Sequence, residues 1–371
     1  SHTPIIDLAE RLVELAPQNV SKVIFQTSGS EANDTAVKLV HYYNNSIGRP
    51  EKKKIISRMK AYHGTTRTAA SLTGLPNMHK YFDLPLPGIL HTDCPHHYRF
   101  ANDGESEEDF ATRLAASLEQ MIVDEGPDTV AAFIAEPVMG AGGVLVPPRT
   151  YFQKMQAVLK KYDVLMIADE VICGFGRTGN MWGCDTFGIQ PDILVCAKAL
   201  SASYLPISAV LVSDKVYQGI AEGTADGGPP FGHGYTYGGH PVSAAVAVET
   251  LKIYEEIDMV GNVQAISPLM QDGLRQFADH PLVGQARGVG LIGALELVED
   301  KASKKPFDPA RKVGPLFENL AKENGMIVRA MGDSIGFTPP LIMTPAEIGE
   351  MIEKTGQTLD QAWKAVQSGE V

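Results

Sequence analysis

Short apolar runs alternate with longer segments of helical period along the first two thirds of the chain. Runs whose length and composition predict strands, several of them buried on both faces, lie at residues 22–25, 54–59, 130–135, 164–168, 193–197 and 207–212. Periods near 3.6 residues predict helices at 7–15, 34–43, 109–125, 151–161 and 241–257. Such alternation is typical of an α/β fold with a mostly parallel sheet flanked by helices.

The pattern changes after residue 258. Shorter strands are predicted at 290–297, 326–329 and 334–337, and helices at 313–324 and 345–366. We therefore expect a large domain over residues 1–258 and a smaller C-terminal α+β domain over residues 259–371. The sequence starts at Ser1 and leads at once into a helix, so we expect that an N-terminal part of the small domain lies outside it.

Two of the predicted strands end on charged residues of opposite sign. Asp169 follows the run at 164–168, and Lys198 follows the run at 193–197. Ligands of open α/β sheets bind beyond the carboxyl ends of the strands, so both side chains could reach one ligand. A lysine held against an apolar strand has a depressed pKa that suits Schiff-base formation, and a carboxylate suits a ring nitrogen that must stay protonated. Pyridoxal phosphate (PLP) requires both groups; a structural ion pair would explain them equally well.

A predicted strand, a Gly/Ser turn and a predicted helix follow one another near residue 29. The backbone N–H groups of such a turn point at the helix N-terminus, where the helix dipole favours an anion, and Ser28 and Ser30 add hydroxyl groups. A phosphate site around Gly29 is one interpretation, and a plain capping turn is the other. Tyr62, just beyond another strand, offers a flat face to an aromatic ligand or packs on its own turn.

Composition narrows the class of partner. The 371 residues are 44% hydrophobic and 20% charged, and the net charge of −12 speaks against nucleic acid or an anionic membrane. No segment is apolar for long enough to span a bilayer. The four cysteines show no pairing pattern, and Cys196 lies inside a predicted strand, which favours a reducing cytoplasm. We expect a cytoplasmic protein that acts on small molecules.

The segment at 84–100 contains Cys94-Pro-His-His97, whose cysteine and histidines are residue types that bind zinc. A zinc site needs further ligands at a workable spacing, and none follow. We therefore predict a loop over this segment and no metal ion.

Taken in order, the motifs resemble those of the class III, or omega, aminotransferases of the fold-type-I PLP enzymes, and within them the amine:pyruvate branch. The motifs are SGSEAN at 28–33, YHG at 62–64, EPVMGAGG at 136–143, DEVICGFGRTG at 169–179, PDI at 191–193, Lys198 and YTYGGHP at 235–241. The resemblance covers residues 3–368. It implies a large domain with a mostly parallel sheet of the seven-stranded type, followed by the smaller C-terminal domain.

The resemblance also implies a role for individual residues. Lys198 would bond the cofactor's aldehyde and shuttle a proton, Asp169 would hold the pyridine nitrogen, and Tyr62 would stack on the ring. The other expected cofactor contacts are Ser28, Gly29, Ser30, His63, Glu136, Val171, Tyr235 and Thr236, of which Thr236 would reach the phosphate of the neighbouring subunit. Tyr204 and Arg329 are the expected substrate contacts. Arg329 would receive substrate carboxylates, although it could instead pair with Asp333.

The activity that the resemblance implies is transfer of an amino group from a primary amine or omega-amino compound to a 2-oxo acid, with pyruvate expected. Transfer would follow a ping-pong mechanism through pyridoxamine phosphate, in a homodimer or dimer of dimers whose subunits share active sites. Aminomutases and decarboxylases of the same fold carry most of these motifs and are the alternative. A non-catalytic binding protein on this fold would leave Lys198 dispensable.

Overall fold

The computed structural model describes residues 1–369, so the last two residues of the expected small domain lie outside the described part. The chain divides into two compact units. The large unit comprises Ser1–Pro137, Pro147–Phe175 and Met181–Ile257, and the small unit comprises Val138–Val146, Gly176–Asn180 and the chain from Asp258 onward. The main division lies where the sequence pattern changes. The pattern of hydrophobic and polar residues does not predict that the segments Val138–Val146 and Gly176–Asn180 belong to the small unit.

The large unit contains a seven-stranded sheet. Its strands are β1 (Val20–Gln26), β2 (Lys54–Arg58), β3 (Ile89–Thr92), β4 (Val130–Ala135), β5 (Leu165–Asp169), β6 (Ile193–Cys196) and β7 (Ser208–Ser213). The spatial order is β1-β7-β6-β5-β4-β2-β3. Strand β7 runs antiparallel to both β1 and β6, and the other neighbours are parallel. The prediction of a mostly parallel sheet is confirmed.

Helices cover both faces of this sheet. They are α1 (Thr3–Leu15), α2 (Gly29–Ser46), α3 (Arg67–Leu72), α4 (His97–Phe100), α5 (Glu107–Glu125), α6 (Tyr151–Lys161), α7 (Gly183–Phe187), α8 (Asp214–Ala225) and α9 (Pro241–Glu256). One apolar core joins α1, α5, α6 and α9 to the sheet, and a second joins α2 and α8 to the opposite face. Neighbouring residues of β4 therefore serve different cores: Phe133 the first and Ile134 the second. This is why the central strands are apolar without alternation.

The small unit is built on an antiparallel sheet. Its strands are β8 (Val283–Val289), β9 (Ile292–Leu297), β10 (Arg329–Met331) and β11 (Ser334–Phe337), in the order β10-β11-β9-β8. Its helices are α10 (Met259–Arg275), α11 (Val313–Glu323) and α12 (Pro345–Ser368). Within residues 1–369, no helix is long and apolar enough to cross a membrane.

Two of the predicted elements are wrong. The expected loop at 84–100 contains β3 and the short helix α4. Strand β3 is a four-residue edge strand that pairs with β2, from Ile55 opposite Ile89 to Arg58 opposite Thr92, so its partner rather than its own pattern fixes it. The strand predicted at 326–329 starts at Arg329, because its extent is set by pairing with β11 across a turn at Gly332, whose φ is +63°.

Candidate active site

Asp169, the last residue of β5, lies at the centre of a buried hydrogen-bond network and is 3% exposed. Its Oδ2 accepts from Asn33 Nδ2 at 2.9 Å and from His63 Nδ1 at 2.7 Å. Its Oδ1 accepts from the Val171 N–H at 3.1 Å. These three donors fix the orientation of the carboxylate. Oδ2 already accepts two bonds and Oδ1 only one, so Oδ1 keeps a lone pair that a protonated ring nitrogen could use.

His63 is held from three sides. Its N–H donates to Thr73 Oγ1 at 2.9 Å, its carbonyl accepts from Asn33 Nδ2 at 2.7 Å, and its ring Nδ1 donates to Asp169. The ring is fully buried, yet its Nε2 has no hydrogen-bond partner among the described residues. A buried polar atom without a partner costs about 1–3 kcal/mol and marks a place where a bound molecule or water supplies one. The site therefore fits a ligand with a polar atom that can bond His63 Nε2.

The N-terminus of α2 lies beside this network. Ser28 caps the helix, its Oγ accepting from the Glu31 N–H at 3.2 Å, and the N–H groups of Gly29 and Ser30 precede the first intrahelical bond. A Cβ at Gly29 would lie 3.1 Å from Val171 Cγ2 and 3.8 Å from Ala197 Cβ, so this helix end adjoins the ends of both β5 and β6. Ser28 is thus a capping residue as well as a candidate phosphate ligand.

A second tight contact closes the phosphate turn. A Cβ at Gly64, whose φ is +133°, would lie 2.3 Å from Ser30 Oγ, so only glycine fits there. Ser30 Oγ accepts from the Thr65 N–H at 3.1 Å and keeps its own O–H available as a donor. The predicted turn therefore offers backbone N–H groups and a hydroxyl, the donor set that suits a phosphate.

Glu136 follows β4 and connects it to the Tyr62 turn. Its Oε1 accepts from the Tyr62 N–H at 3.0 Å, and its carbonyl accepts from Arg58 Nη2 at 2.6 Å. Burial raises the pKa of the Glu136 carboxyl, and the nearby His63 and Arg58 oppose that rise. The main chain of Tyr62 is thereby fixed while its ring stays half-buried, and ring stacking on a cofactor remains a prediction.

Lys198 comes directly after the turn that ends β6. The register pairs Asp169 with Val195, three positions before the lysine. Its φ is +47°, a left-handed conformation that costs a residue other than glycine about 1–2 kcal/mol. The expectation that the strand buries this lysine is wrong: Lys198 is exposed, because the chain turns into a short 3₁₀ segment there.

The remaining predicted site residues lie on loops or in the small unit. Thr236 is exposed, and Tyr235 packs its ring edge-on against His233 at 5.3 Å between centroids. Tyr204 is 80% exposed. Arg329 lies exposed on β10, and within residues 1–369 its side chain makes no hydrogen bond or ion pair. The alternative pairing with Asp333 is not formed.

Sequence reasoning missed two contributors to the network, Asn33 and Thr73. Asn33 is buried one helical turn after Gly29, and Thr73 follows α3. The signal for Asn33 was a polar residue at a position where the period of α2 calls for an apolar one. For Thr73 the sequence offers no such signal, since its contact with His63 depends on how α3 packs.

A second carboxyl, Glu170, is completely buried next to Asp169. Its Oε2 accepts from the Gly183 N–H at 3.0 Å and its Oε1 from the Cys184 N–H at 2.6 Å, at the start of α7. Burial raises the pKa of Glu170 to about 7, although the hydrogen bonds from Cys184 and Gly183 oppose the rise. The folded protein therefore binds a proton that the unfolded chain releases near pH 4.5.

We expect this proton to make stability depend on pH. Between pH 4.5 and about 7 the unfolding free energy of the wild type should fall by up to about 3 kcal/mol relative to Glu170→Gln, and above pH 7 the difference should stay constant. Urea titrations of both proteins at several pH values measure it. The exposed Glu10→Gln is the control and should run parallel to the wild type. A pH-independent difference between wild type and Glu170→Gln would contradict the shifted pKa.

The site combines three groups. A buried carboxylate lies at one strand end, a lysine follows the neighbouring strand, and a helix N-terminus adjoins both. Together they suit a phosphorylated aromatic aldehyde such as PLP.

The family description "Aminotransferase class-III" matches residues 1–359. The omega transaminase from Pseudomonas jessenii, in a crystal structure in complex with PMP, is 57% identical with a TM-score of 0.97, over 100% of this chain and 81% of that one. A structure described as a transaminase with L-Ala is 56% identical with a TM-score of 0.96, over 99% and 86% of the two chains.

Relatives that are similar in sequence are also named as transaminases. Gamma aminobutyrate transaminase 3, chloroplastic, of Solanum lycopersicum is 54% identical over 360 residues, 97% of this chain and 69% of that protein. The probable gamma-aminobutyrate transaminase 3, mitochondrial, of Oryza sativa subsp. indica is 54% identical over 357 residues, 96% and 70% of the two lengths. The chain belongs to the class III aminotransferases. It is an aminotransferase that uses PLP, and its substrates are a small-molecule amine and a keto acid.

Proposed function

We propose that this aminotransferase moves an amino group from a primary amine or omega-amino compound to pyruvate, by a ping-pong mechanism through pyridoxamine phosphate. The observation that carries the proposal is the Asp169 carboxylate, held by Asn33, His63 and Val171 at the end of β5 beside the strand that leads to Lys198. Support for the substrates comes from relatives named gamma-aminobutyrate transaminases and from a similar transaminase solved with L-Ala, the product that pyruvate would give.

The residues of the site divide the work of such a transfer. When bound, PLP supplies an aldehyde that bonds the amino group and a ring that draws electrons from the reacting carbon. Asp169 would keep the ring nitrogen protonated, and its bonds to Asn33 and His63 prevent it from turning away. The N–H groups at Gly29 and Ser30 would hold the phosphate.

Lys198 would hold the cofactor through its Nζ until the substrate amine takes its place. The freed side-chain amine of Lys198 would then act as the base that moves the proton. Its place after β6 puts it at the same sheet edge as Asp169. Tyr62 and Val171 would cover the two ring faces, since Val171 already packs at Gly29 and the Tyr62 main chain is fixed by Glu136. Covering both faces excludes water and lets a single lysine control proton transfer.

Arg329 should matter for only one of the two half-reactions. A fixed buried arginine would penalise an amine with an apolar tail, whereas an exposed arginine on the short β10 strand can turn toward a carboxylate when one is present. We expect Arg329→Ala to weaken the reaction with pyruvate by about 2–5 kcal/mol and to leave the reaction with a simple amine lacking a carboxylate nearly unchanged. Single-turnover absorbance of each half-reaction measures both.

The matched control is Arg311→Ala, also in the small unit, whose guanidinium pairs with Glu299 at 3.0 Å. This variant should leave both half-reactions unchanged. Equal losses in the two half-reactions of Arg329→Ala, or no loss in either, would remove Arg329 from substrate recognition.

The active unit we propose is a homodimer or dimer of dimers in which Thr236 serves the neighbour's phosphate. Thr236 is exposed on a glycine-rich loop of its own chain, as this role requires. Subunit mixing tests it: a dimer of one Lys198→Ala chain and one Thr236→Val chain would contain one intact site. We expect refolded mixtures to regain about a quarter of wild-type activity, since half of random dimers are mixed. A mixture no more active than the average of its parents would contradict the shared site.

A donor screen with pyruvate as acceptor tests the proposed reaction. An aliphatic diamine, β-alanine, taurine, γ-aminobutyrate and an aryl-alkyl amine are each supplied, and alanine is measured together with the carbonyl product. We expect at least one donor to give alanine and the carbonyl product in equal amounts. Carbon dioxide release or an isomerised amine without alanine would favour a decarboxylase or aminomutase instead.

The cellular location we propose is the cytoplasm. The four cysteines are buried and in no disulfide, which suits a reducing compartment. The plant relatives carry names that place those proteins in mitochondria or chloroplasts. Fractionation of the source cells would decide, and recovery of the protein with an organelle would overturn the proposal.

A further inference from the structure

Arg58, the last residue of β2, is a buried cation that makes no direct ion pair among residues 1–369, although its charge opposes the rise that burial imposes on the pKa of the nearby Glu136 carboxyl. Its side chain is 0% exposed. Its Nη2 donates to the Glu136 carbonyl at 2.6 Å, while Nε and Nη1 have no hydrogen-bond partner of ordinary geometry among residues 1–369. The rings of Tyr151 and Phe152 lie 6.0 and 5.8 Å from the guanidinium carbon.

A buried arginine without an ion-pair partner is expected to contribute little to the stability of a core. A buried guanidinium loses its hydration, and two cation–π contacts with one hydrogen bond recover only part of that cost. Replacing buried charges by apolar residues of similar volume is often neutral or stabilising. The charge also acts on its surroundings, since Arg58 opposes the rise that burial imposes on the pKa of Tyr151, which reaches about 12. Stability alone does not account for arginine at this position.

The hydrogen bond from Arg58 Nη2 to the Glu136 carbonyl begins a continuous path to Asp169. Arg58 holds the Glu136 carbonyl, and Glu136 Oε1 accepts from the Tyr62 N–H at 3.0 Å. His63, the next residue, donates from Nδ1 to Asp169 at 2.7 Å. The held carbonyl is also the point where the chain leaves the large unit, which ends at Pro137 in this segment.

We propose that Arg58 is a positioning residue, which aims the Glu136 carboxylate at the Tyr62 N–H and so holds Tyr62 and His63 in place against Asp169. The inference deepens the proposed function and rests on it only for the kinetic part of its test. Removing Arg58 would let the peptide after Glu136 rotate, and the hydrogen bond from the Tyr62 N–H to the Glu136 carboxylate would then be weakened or lost.

Lys52 is a matched control for the loss of a buried cation. It precedes the opposite end of β2, is 5% exposed, and donates from Nζ to the carbonyls of Tyr162 at 2.9 Å and Pro127 at 3.4 Å. Burial lowers the pKa of Lys52. Lys52→Met therefore removes a buried cation and its carbonyl contacts just before the same strand without touching Glu136. A purely structural role for Arg58 predicts that Arg58→Met and Lys52→Met behave alike.

Amide hydrogen exchange tests the positioning directly and needs no activity. The purified full chain, with and without PLP, is digested and the peptide that contains Tyr62 and His63 is followed. Arg58→Met should exchange at least about tenfold faster in this peptide, Lys52→Met should match the wild type there, and Arg58→Lys, which keeps one donor, should lie between. Unchanged exchange in Arg58→Met, or an equal rise in Lys52→Met, would overturn the proposal.

A double-mutant cycle with Glu136→Ala tests the path. In the single turnover with an amine donor, Arg58→Met should slow the reaction by about tenfold in the wild-type background and cause no further slowing in Glu136→Ala. Equal slowing in both backgrounds would show that Arg58 does not act through Glu136. If the wild type reacts with no amine at all, the proposed function fails, and hydrogen exchange still decides for or against the positioning role.

Discussion

Lys198→Ala should lose amine turnover by on the order of 10,000-fold, because both the anchor of the cofactor and the mobile base are removed together. The variant should still bind PLP through the Gly29–Ser30 turn, which the substitution does not touch. Borohydride should therefore reduce the cofactor onto the wild-type chain and not onto the variant. Absorbance before and after reduction, with peptide mapping, measures both effects.

Two control variants test whether the loss is specific to the amine of Lys198. Lys198→Arg keeps a positive charge at the same left-handed position but cannot bond an aldehyde, so it should be as inactive as the alanine variant. Lys80→Ala removes another exposed lysine and should behave as wild type. Cofactor reduced onto a lysine other than Lys198 would refute the assignment.

Asp169→Asn should bind PLP and lose on the order of 100- to 1000-fold in turnover. The amide can satisfy Asn33 and His63 only by placing its oxygen at the Oδ2 position, which turns its NH₂ group toward the Val171 N–H. More important, a neutral amide cannot keep the ring nitrogen protonated, so the electrons of the reacting carbon have no sink. Steady-state kinetics with a saturating amine and pyruvate measure the loss.

Asp192→Asn provides the comparison. Asp192 precedes the opposite end of β6 and its Oδ2 accepts from the Met166 N–H at 2.9 Å, so this variant removes a half-buried carboxylate from the same strands without reaching the site. It should lower stability and leave turnover nearly unchanged. Turnover of Asp169→Asn within about threefold of the wild type, less than about 1 kcal/mol, would show that the carboxylate is not part of an electron sink.

The central sheet could be predicted because its strands carry their own signal. The prediction for 130–135 coincides with β4, and that for 334–337 coincides with β11. Helix α6 lies at the predicted 151–161. Strands buried on both faces need unbroken apolar runs, and turn residues bound those runs, so local sequence fixes their limits.

Elements that depend on distant partners left no such signal. Strand β3 is stabilised by pairing with β2, and β10 by pairing with β11, so neither shows a pattern of its own. The short segments at 138–146 and 176–180 belong to the small unit, although they are embedded in the sequence of the large one. Membership of a unit is a property of contacts between remote residues, which periodicity does not record.

The same distinction applies to the site. Asp169 could be predicted because it ends an apolar run, and Ser28 to Ser30 because a turn precedes a helix. Arg58 and Glu170 could not, since a charged residue at a strand end is usually exposed and only the packed structure shows both completely buried. Lys198 is exposed because the backbone takes a left-handed conformation there, and no glycine or asparagine in the local sequence predicts that conformation.

In the proposed reaction, an amino group passes from an amine to pyruvate in two separable steps. The most direct test is stoichiometric: PLP-loaded protein is given an amine donor without acceptor, freed of small molecules by gel filtration, and then given pyruvate. We expect one carbonyl product per site in the first step and one alanine per site in the second. Alanine formed only when donor and pyruvate are present together, or no alanine at all, would contradict it.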